Sequence, residues 1–243
     1  VVCGVQGDRL SRVLRRMFAA VGFRADGMRP RAMSYEEMRP CCYEPKARLD
    51  DMDNNWVEAS LCFPTFPRFC GQTFLEGKDH DLGLACVRAY NDWMVEEWCG
   101  GSGGRLIPLI ILPLWDPELA AAEVRRNTSR GVRAVTFSEI PAYLGLPSIH
   151  TGYWDPLFAA CEEADVSVHM HIGSSSKMPS TSADAPPLVA SALTFGNAMA
   201  SMVDFLLSGV LVRFPRLQIA YSEGQIGWIP YILERTDHVW EQN

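Results

Sequence analysis

The chain has 243 residues, with 48% hydrophobic and 21% charged residues and a formal net charge of −7. That length can bury a substantial core, as one large α/β domain or two small ones. The longest apolar stretch, Leu106 to Trp115, contains two prolines and falls short of the roughly 18–20 residues a membrane helix needs. A pI near 5.3 with scattered basic residues argues against a nucleic-acid partner and against an anionic membrane surface.

Residues 1–53 read as a polar and helical excursion, with helical character from Arg9 to Ala20 and a polar run from Arg29 to Asp53. The N-terminus V-V-C-G-V-Q-G-D has neither an initiator Met nor a signal-peptide apolar core, so the chain is not expected to begin where its gene does. Cysteines at 3, 41, 42, 62, 70, 86, 99 and 161 show no regular spacing. They read as reduced thiols, mostly buried, which points to the cytoplasm.

From about residue 54, strand-type and helix-type runs alternate. Trp56 to Phe63 is the first predicted strand, followed by the loop P-T-F-P-R-F. Leu84, Val87, Met94 and Trp98 then recur at helical spacing, and the glycines from Gly100 to Gly104 stop that helix. The run R-L-I-P-L-I-I-L-P-L is a continuous apolar strand of the type covered on both faces. Asp116-Pro117 opens the next helix, with Asp as N-cap and Pro at the first helical position. Gly131 to Ser138 is a strand, Asp155-Pro156 a second helix start, and V-S-V-H-M-H-I-G a further strand. A Ser/Pro/Ala-rich loop to Pro187, helical material to about Leu211, a last strand from Leu217 to Glu223 and a helix opening at G-W-I-P complete the pattern. Five strands alternating with helices predict a parallel sheet with right-handed crossovers in a single domain spanning 1–243.

Within Val166 to Ser176, alternation puts Ser167, His169 and His171 on one face and Val166, Val168, Met170 and Ile172 on the other. The second face of an open doubly wound sheet meets helices and is apolar. A face bearing Ser, His and His fits instead the lumen of a (β/α)8 TIM barrel, whose active site lies at the C-terminal strand ends. His171 is at that end, and His169 is one layer deeper. The long polar loop beginning G-S-S-S suits a functional loop better than a tight turn. Glu223, at the end of the last strand, brings a carboxylate to the same end of the barrel. Hydrogen-bonded core histidines and a solvated loop glutamate are the plain alternatives. Cysteine chemistry at Cys62 or Cys70 would need a base that the sequence does not identify.

The segments V-H-M-H-I-G-S-S, A-Y-S-E-G-Q-I-G-W-I-P-Y-I-L-E-R-T-D, C-F-P-T-F-P-R-F and A-Y-N-D-W-M-V-E-E-W-C-G resemble the amidohydrolase-2 (amidohydrolase-related) family from about Met38 to Trp240. This is the branch of metal-dependent TIM-barrel hydrolases that includes aminocarboxymuconate-semialdehyde decarboxylase and the resorcylate-type decarboxylases. The resemblance implies a (β/α)8 barrel, incomplete as given, with about five recognisable units and the first and last strands missing. It also implies a metal-dependent hydrolase or carboxy-lyase acting on a small organic acid or a cyclic or aromatic substrate. His171 matches the family's metal-binding histidine, with His169 a subsidiary candidate. Glu223 stands where the decarboxylases carry a catalytic histidine and is the expected acid/base. Ser174, Ser175 and Ser176 are expected to bind substrate oxygens, and Trp228 and Pro230 to pack. The ion is expected to be zinc or manganese, zinc favoured. Two family elements are absent from these residues: a first-strand H-x-H or E-x-H pair, and an Asp motif on the eighth strand. Their ligands are expected beyond the two ends. The other reading is a truncated or metal-less scaffold. A homo-oligomer is expected, with the helix from Tyr90 to Trp98 as a subunit face.

Overall fold

The structure, a computed structural model, describes residues 34–243. Six short strands are present among them: β1 (Ser60–Leu61), β2 (Leu106–Ile107), β3 (Leu109–Ile110), β4 (Ala134–Phe137), β5 (Ser167–His171) and β6 (Ile219–Ser222). β1 pairs with β2, and β3-β4-β5-β6 follow in sequence order, every pairing being parallel. β2 and β3 are one apolar run interrupted at Pro108, which has no N–H to give to a ladder. The six strands thus form the five β/α units read from the sequence, as an open arc of a barrel.

The nine described α-helices are α1 (Pro45–Asn54), α2 (Gln72–Leu75), α3 (His80–Trp93), α4 (Pro117–Thr128), α5 (Asp155–Glu163), α6 (Pro187–Ala192), α7 (Phe195–Leu207), α8 (Val210–Arg213) and α9 (Ile229–Gln242). α3 runs on through a wide turn at Met94–Trp98 before the glycines stop it. The helical reading of 9–20 lies outside the described residues. The described part of the polar excursion is ordered as a turn at Pro40–Cys42 followed by α1.

Three local expectations change. The first strand shrinks to two residues because Trp56 adopts a left-handed φ of 59° and stands 96% exposed. The carbonyls of Val57 and Glu58 accept instead from the Arg105 guanidinium, at 2.9 Å each. Asp116 caps α4 as expected, accepting from Glu118 N at 2.8 Å and Leu119 N at 3.0 Å. Asp155 does not act as a cap: it lies inside the first turn of α5, and its carboxylate accepts from Arg213 at 3.0 Å. Met94 and Trp98, offered by the sequence as a subunit face, are buried within the chain with Met52, Cys99 and Leu106.

The main core lies between the strands and α4, α5 and α7. It contains Ile110, Leu112, Val135, Phe137, Trp154, Phe158, Val168, Met170 and Phe205, all essentially inaccessible. The removal of these large side chains from water is the dominant favourable contribution to holding helices on the outside of the arc. Asn91 of α3 ties helix to sheet: its amide accepts from Ile111 N and donates to Ile111 O, both at 2.9 Å. The described cysteines, Cys41, Cys42, Cys62, Cys70, Cys86, Cys99 and Cys161, are all free thiols. No helix among the described residues is long and apolar enough to cross a membrane.

Candidate active site

β5 alternates as its sequence predicts. Val168 and Met170 are buried against the helices, and Ser167, His169 and His171 share the partly open inner face. The β4–β5 register sets Thr136 beside His169, and the β5–β6 register sets His171 beside Ser222. Immediately after Ser222, Glu223 takes a left-handed φ of 61°, uncommon for a non-glycine residue. The chain leaves the strand there, and Glu223 Oε1 comes to 3.5 Å from His171 Nε2. Gly224 is required at the next position, because a Cβ there would come within 2.9 Å of the Ala198 side chain.

His171 is held on three sides. Its Nδ1 lies 2.7 Å from the carbonyl of Ile172, an acceptor only, so Nδ1 carries the proton and donates it. In the neutral ring this leaves the Nε2 lone pair facing Glu223. Phe69 stacks on the imidazole at 4.0 Å with 7° between planes, and Phe63 meets it edge-on at 4.9 Å. The Phe69 carbonyl accepts from Thr136 Oγ1 at 2.7 Å, which fixes the P-T-F-P-R-F loop over β4. Gly173, at φ 85°, lets the β5 chain turn under Phe69, whose ring would lie 3.2 Å from a Cβ there.

His169 sits one layer lower, its Nε2 2.8 Å from Ser167 Oγ. Burial pushes its pKa down, so the imidazole is neutral near pH 7. The structure therefore brings His171 and Glu223 together and leaves His169 in the layer beneath. Glu223 is not partly buried, as its expected acid/base role would suggest: its side chain is 66% exposed, against 12% for His171.

The serine loop holds a residue that the sequence reading missed. Glu139, just past the end of β4, is 2% exposed. Its Oε1 accepts from Gly173 N at 3.1 Å, Ser175 Oγ at 2.9 Å and Asn197 Nδ2 at 3.2 Å, while its own N–H donates to Ser174 Oγ at 2.9 Å. Its Oε2 has no partner, and neither has the buried Ser138 Oγ beside it. Desolvation raises the Glu139 pKa, and the hydrogen bonds it accepts oppose that shift. Ser174 and Ser175 are thus fully buried and engaged by Glu139. Ser176 is exposed and accepts from Arg68, whose other terminal nitrogen pairs with Glu76 at 2.6 Å. Gln72 joins the same loop, donating to Ser174 O at 2.9 Å and accepting from Cys70 N at 2.9 Å. Three long-range partners converge on Glu139, and nothing in S-E-I-P signals them.

The family model described as Amidohydrolase matches residues 18–243. The chain belongs to that family. Gamma-resorcylate decarboxylase of Rhizobium radiobacter is 27% identical over 171 residues, 66% of this chain and 50% of that protein. The chain therefore spans about half the length of the curated relatives it matches. An amidohydrolase from Mycobacterium avium subsp. paratuberculosis superposes with a TM-score of 0.63 at 23% identity, over 84% of this chain and 53% of that one. The 5-carboxyvanillate decarboxylase of Novosphingobium aromaticivorans, complexed with manganese and 4-hydroxy-3-methoxy-5-nitrobenzoic acid, superposes with a TM-score of 0.61 at 20% identity, over 80% and 53%. These likenesses establish the fold, an α/β arc of a (β/α)8 barrel.

Among the described residues no group of three or more His, Cys, Asp or Glu side chains converges as a metal cluster. Two donors do face each other, the His171 nitrogen and the Glu223 carboxylate. The Nε2 of a neutral imidazole beside a carboxylate is the type of donor set that suits zinc or manganese, and a catalytic zinc site typically has about three protein ligands.

Proposed function

We propose that this chain forms the His171–Glu223 wall of a metal-dependent hydrolase or carboxy-lyase acting on a small organic acid, cyclic or aromatic. The observation that carries the reading is the 3.5 Å approach of Glu223 to His171 Nε2, the ring nitrogen that the Ile172 hydrogen bond leaves unengaged. His171 is the proposed metal ligand, oriented by that backbone bond in the way metal-ligating histidines generally are. The manganese of the Novosphingobium relative supports a divalent ion and gives no support to the preference for zinc. When bound, the ion supplies Lewis-acid polarisation of a substrate carboxylate or carbonyl oxygen.

Glu223 is the proposed proton-transfer group. In hydrolysis it takes the proton of the attacking water. In decarboxylation it delivers a proton to the carbon that loses CO2. Its exposure on the open side leaves it free to reach substrate, which the buried Glu139 is not. Phe63 and Phe69 hold the His171 ring and offer apolar surface to a flat substrate. Of the serine loop, Ser176 is the member proposed to reach substrate, with Ser174 and Ser175 shaping the loop through Glu139. His169 is proposed to remain a neutral core imidazole. A homo-oligomer is also proposed, on a surface other than Met94 and Trp98.

Elemental analysis after loading the purified protein with manganese or zinc tests the reading. Stoichiometric metal that is lost in His171→Ala is the expected result. Less than about a tenth of an ion per chain after loading would overturn it. A scaffold that binds without catalysing would then be the favoured reading.

A further inference from the structure

A second cavity lies apart from His171. α1, the loop 64–67 and the inner side of α3 with its wide turn enclose a space of about 480 Å³, within the roughly 300–1,000 Å³ typical of small-molecule sites. None of His171, Glu223, Glu139 or Phe69 lines it. Phe63 is the shared wall, since it faces this cavity and also meets His171 edge-on.

The walls differ in kind. Along α3 and its turn, Tyr90, Trp93 and Trp98 form a continuous bank of rings, with centroid separations of 5.8 Å from Tyr90 to Trp93 and 5.8 Å from Trp93 to Trp98. Tyr43 and Phe63 add further rings. Arg48 of α1 also lines the cavity, and among the described lining residues it is the one charged side chain, with no Asp or Glu beside it. The Arg48 guanidinium makes no ion pair among the described residues, and its Nε is buried without a hydrogen-bond partner. A guanidinium left without acceptors is costly, and an incoming acceptor recovers that cost. A guanidinium fork matches a carboxylate better than any other common small anion group. The rings match a flat apolar body.

We propose that this cavity is a second ligand site, for a planar aromatic carboxylate whose ring lies against the Tyr90–Trp93–Trp98 bank and whose carboxylate meets Arg48. The site is independent of the reaction proposed for His171 and Glu223. A ligand of this class bound here touches Phe63 and so bears on the ring that buttresses His171.

Two tryptophans in the wall supply the readout. Titration of the full chain with 2-naphthoate, followed by tryptophan fluorescence and calorimetry, should show saturable binding of one molecule per chain. Uncharged 2-naphthamide should bind at least about tenfold more weakly, and Arg48→Gln should weaken 2-naphthoate by a similar factor. Ala89→Trp, which puts a large ring into the cavity from α3, should abolish binding, and His171→Ala should leave it unchanged. Absence of saturable binding, equal affinity for the amide, or retention in Ala89→Trp would overturn the proposal. Loss of binding in His171→Ala would assign the ligand to the other site and overturn it too. Should Arg48→Gln fail to fold, the amide comparison and Ala89→Trp decide the matter alone.

Discussion

Glu139 and Glu223 stand just beyond the C-terminal ends of β4 and β6, on either side of the β5 strand that carries His171, and they do opposite things. Glu139 is buried, takes three donors on one oxygen and holds the serine loop to α7. Glu223 is mostly exposed, with His171 Nε2 its neighbour at 3.5 Å. A carboxylate at a strand end is thus not by itself a catalytic group. The number of protein donors already committed to it decides whether it can exchange a proton with substrate. Glu139 commits Oε1 to the scaffold, and Glu223 is left open for the proton transfer proposed for it.

The sharpest way to break that contrast is to truncate the buried member. Glu139→Ala strands Gly173 N and Ser175 Oγ, while Asn197 Nδ2 keeps the Lys177 carbonyl at 2.6 Å and Ser175 Oγ at 3.2 Å; at roughly 1–3 kcal/mol for each buried unpaired donor the loss should be about 2 kcal/mol or more. Urea denaturation of wild type and variant measures it, and a change under about 1 kcal/mol would mean that water replaces the carboxylate and that Glu139 is not the clasp. Next in size is Phe69→Ala, which removes the ring stacked on His171 and the contact to Gly173. Because Phe69 is only partly buried, the expected cost is about 2–3 kcal/mol, below the range for a fully buried Phe. Binding of metal to His171 should persist in this variant if the Ile172 carbonyl, and not the ring, sets the imidazole's tautomer.

These two residues also mark where the sequence stopped being legible. The β5 faces could be read because a strand's period is two, and His171 followed from the polar face meeting the strand end. The order of β/α units was readable from the Pro and Gly punctuation and from Asp116-Pro117. Asp155-Pro156 looks identical, yet a nearby arginine, Arg213, takes its carboxylate, and no local pattern encodes that competition. Glu139 was invisible for the same reason: its partners lie 34, 36 and 58 residues away. The exposure of Glu223 depends on a left-handed φ at a glutamate, which composition does not announce. Ser174 and Ser175 read as open polar loop because nothing local revealed the buried carboxylate that claims them.

A smaller effect comes from neutralising Glu139 without changing its shape. Its folded-state pKa is raised by burial, so the folded protein binds a proton more tightly than the unfolded chain does. Stability from this group is therefore greatest below the unfolded carboxylate pKa and declines as pH rises through the raised folded value, becoming constant above it. Glu139→Gln should remove that decline. Melting curves from pH 4 to pH 8 should show the wild type losing stability relative to the variant as pH rises; parallel curves would show that the hydrogen bonds outweigh the desolvation.

The smallest stability change belongs to Glu223→Gln, and it carries the other half of the contrast. An exposed side chain with no buried donors to strand should shift unfolding free energy by no more than about 0.5 kcal/mol. If Glu223 moves the proton, turnover by a catalytically complete form should nevertheless fall by about 10²–10⁴ in kcat, with metal content unchanged. A glutamine preserves size and polarity but has no proton to exchange near neutral pH, so the fall reports chemistry and not packing. Full turnover in Glu223→Gln, or loss of metal along with activity, would reassign Glu223 from proton transfer to spectator or ligand. Glu139 and Glu223 would then no longer divide into clasp and catalyst.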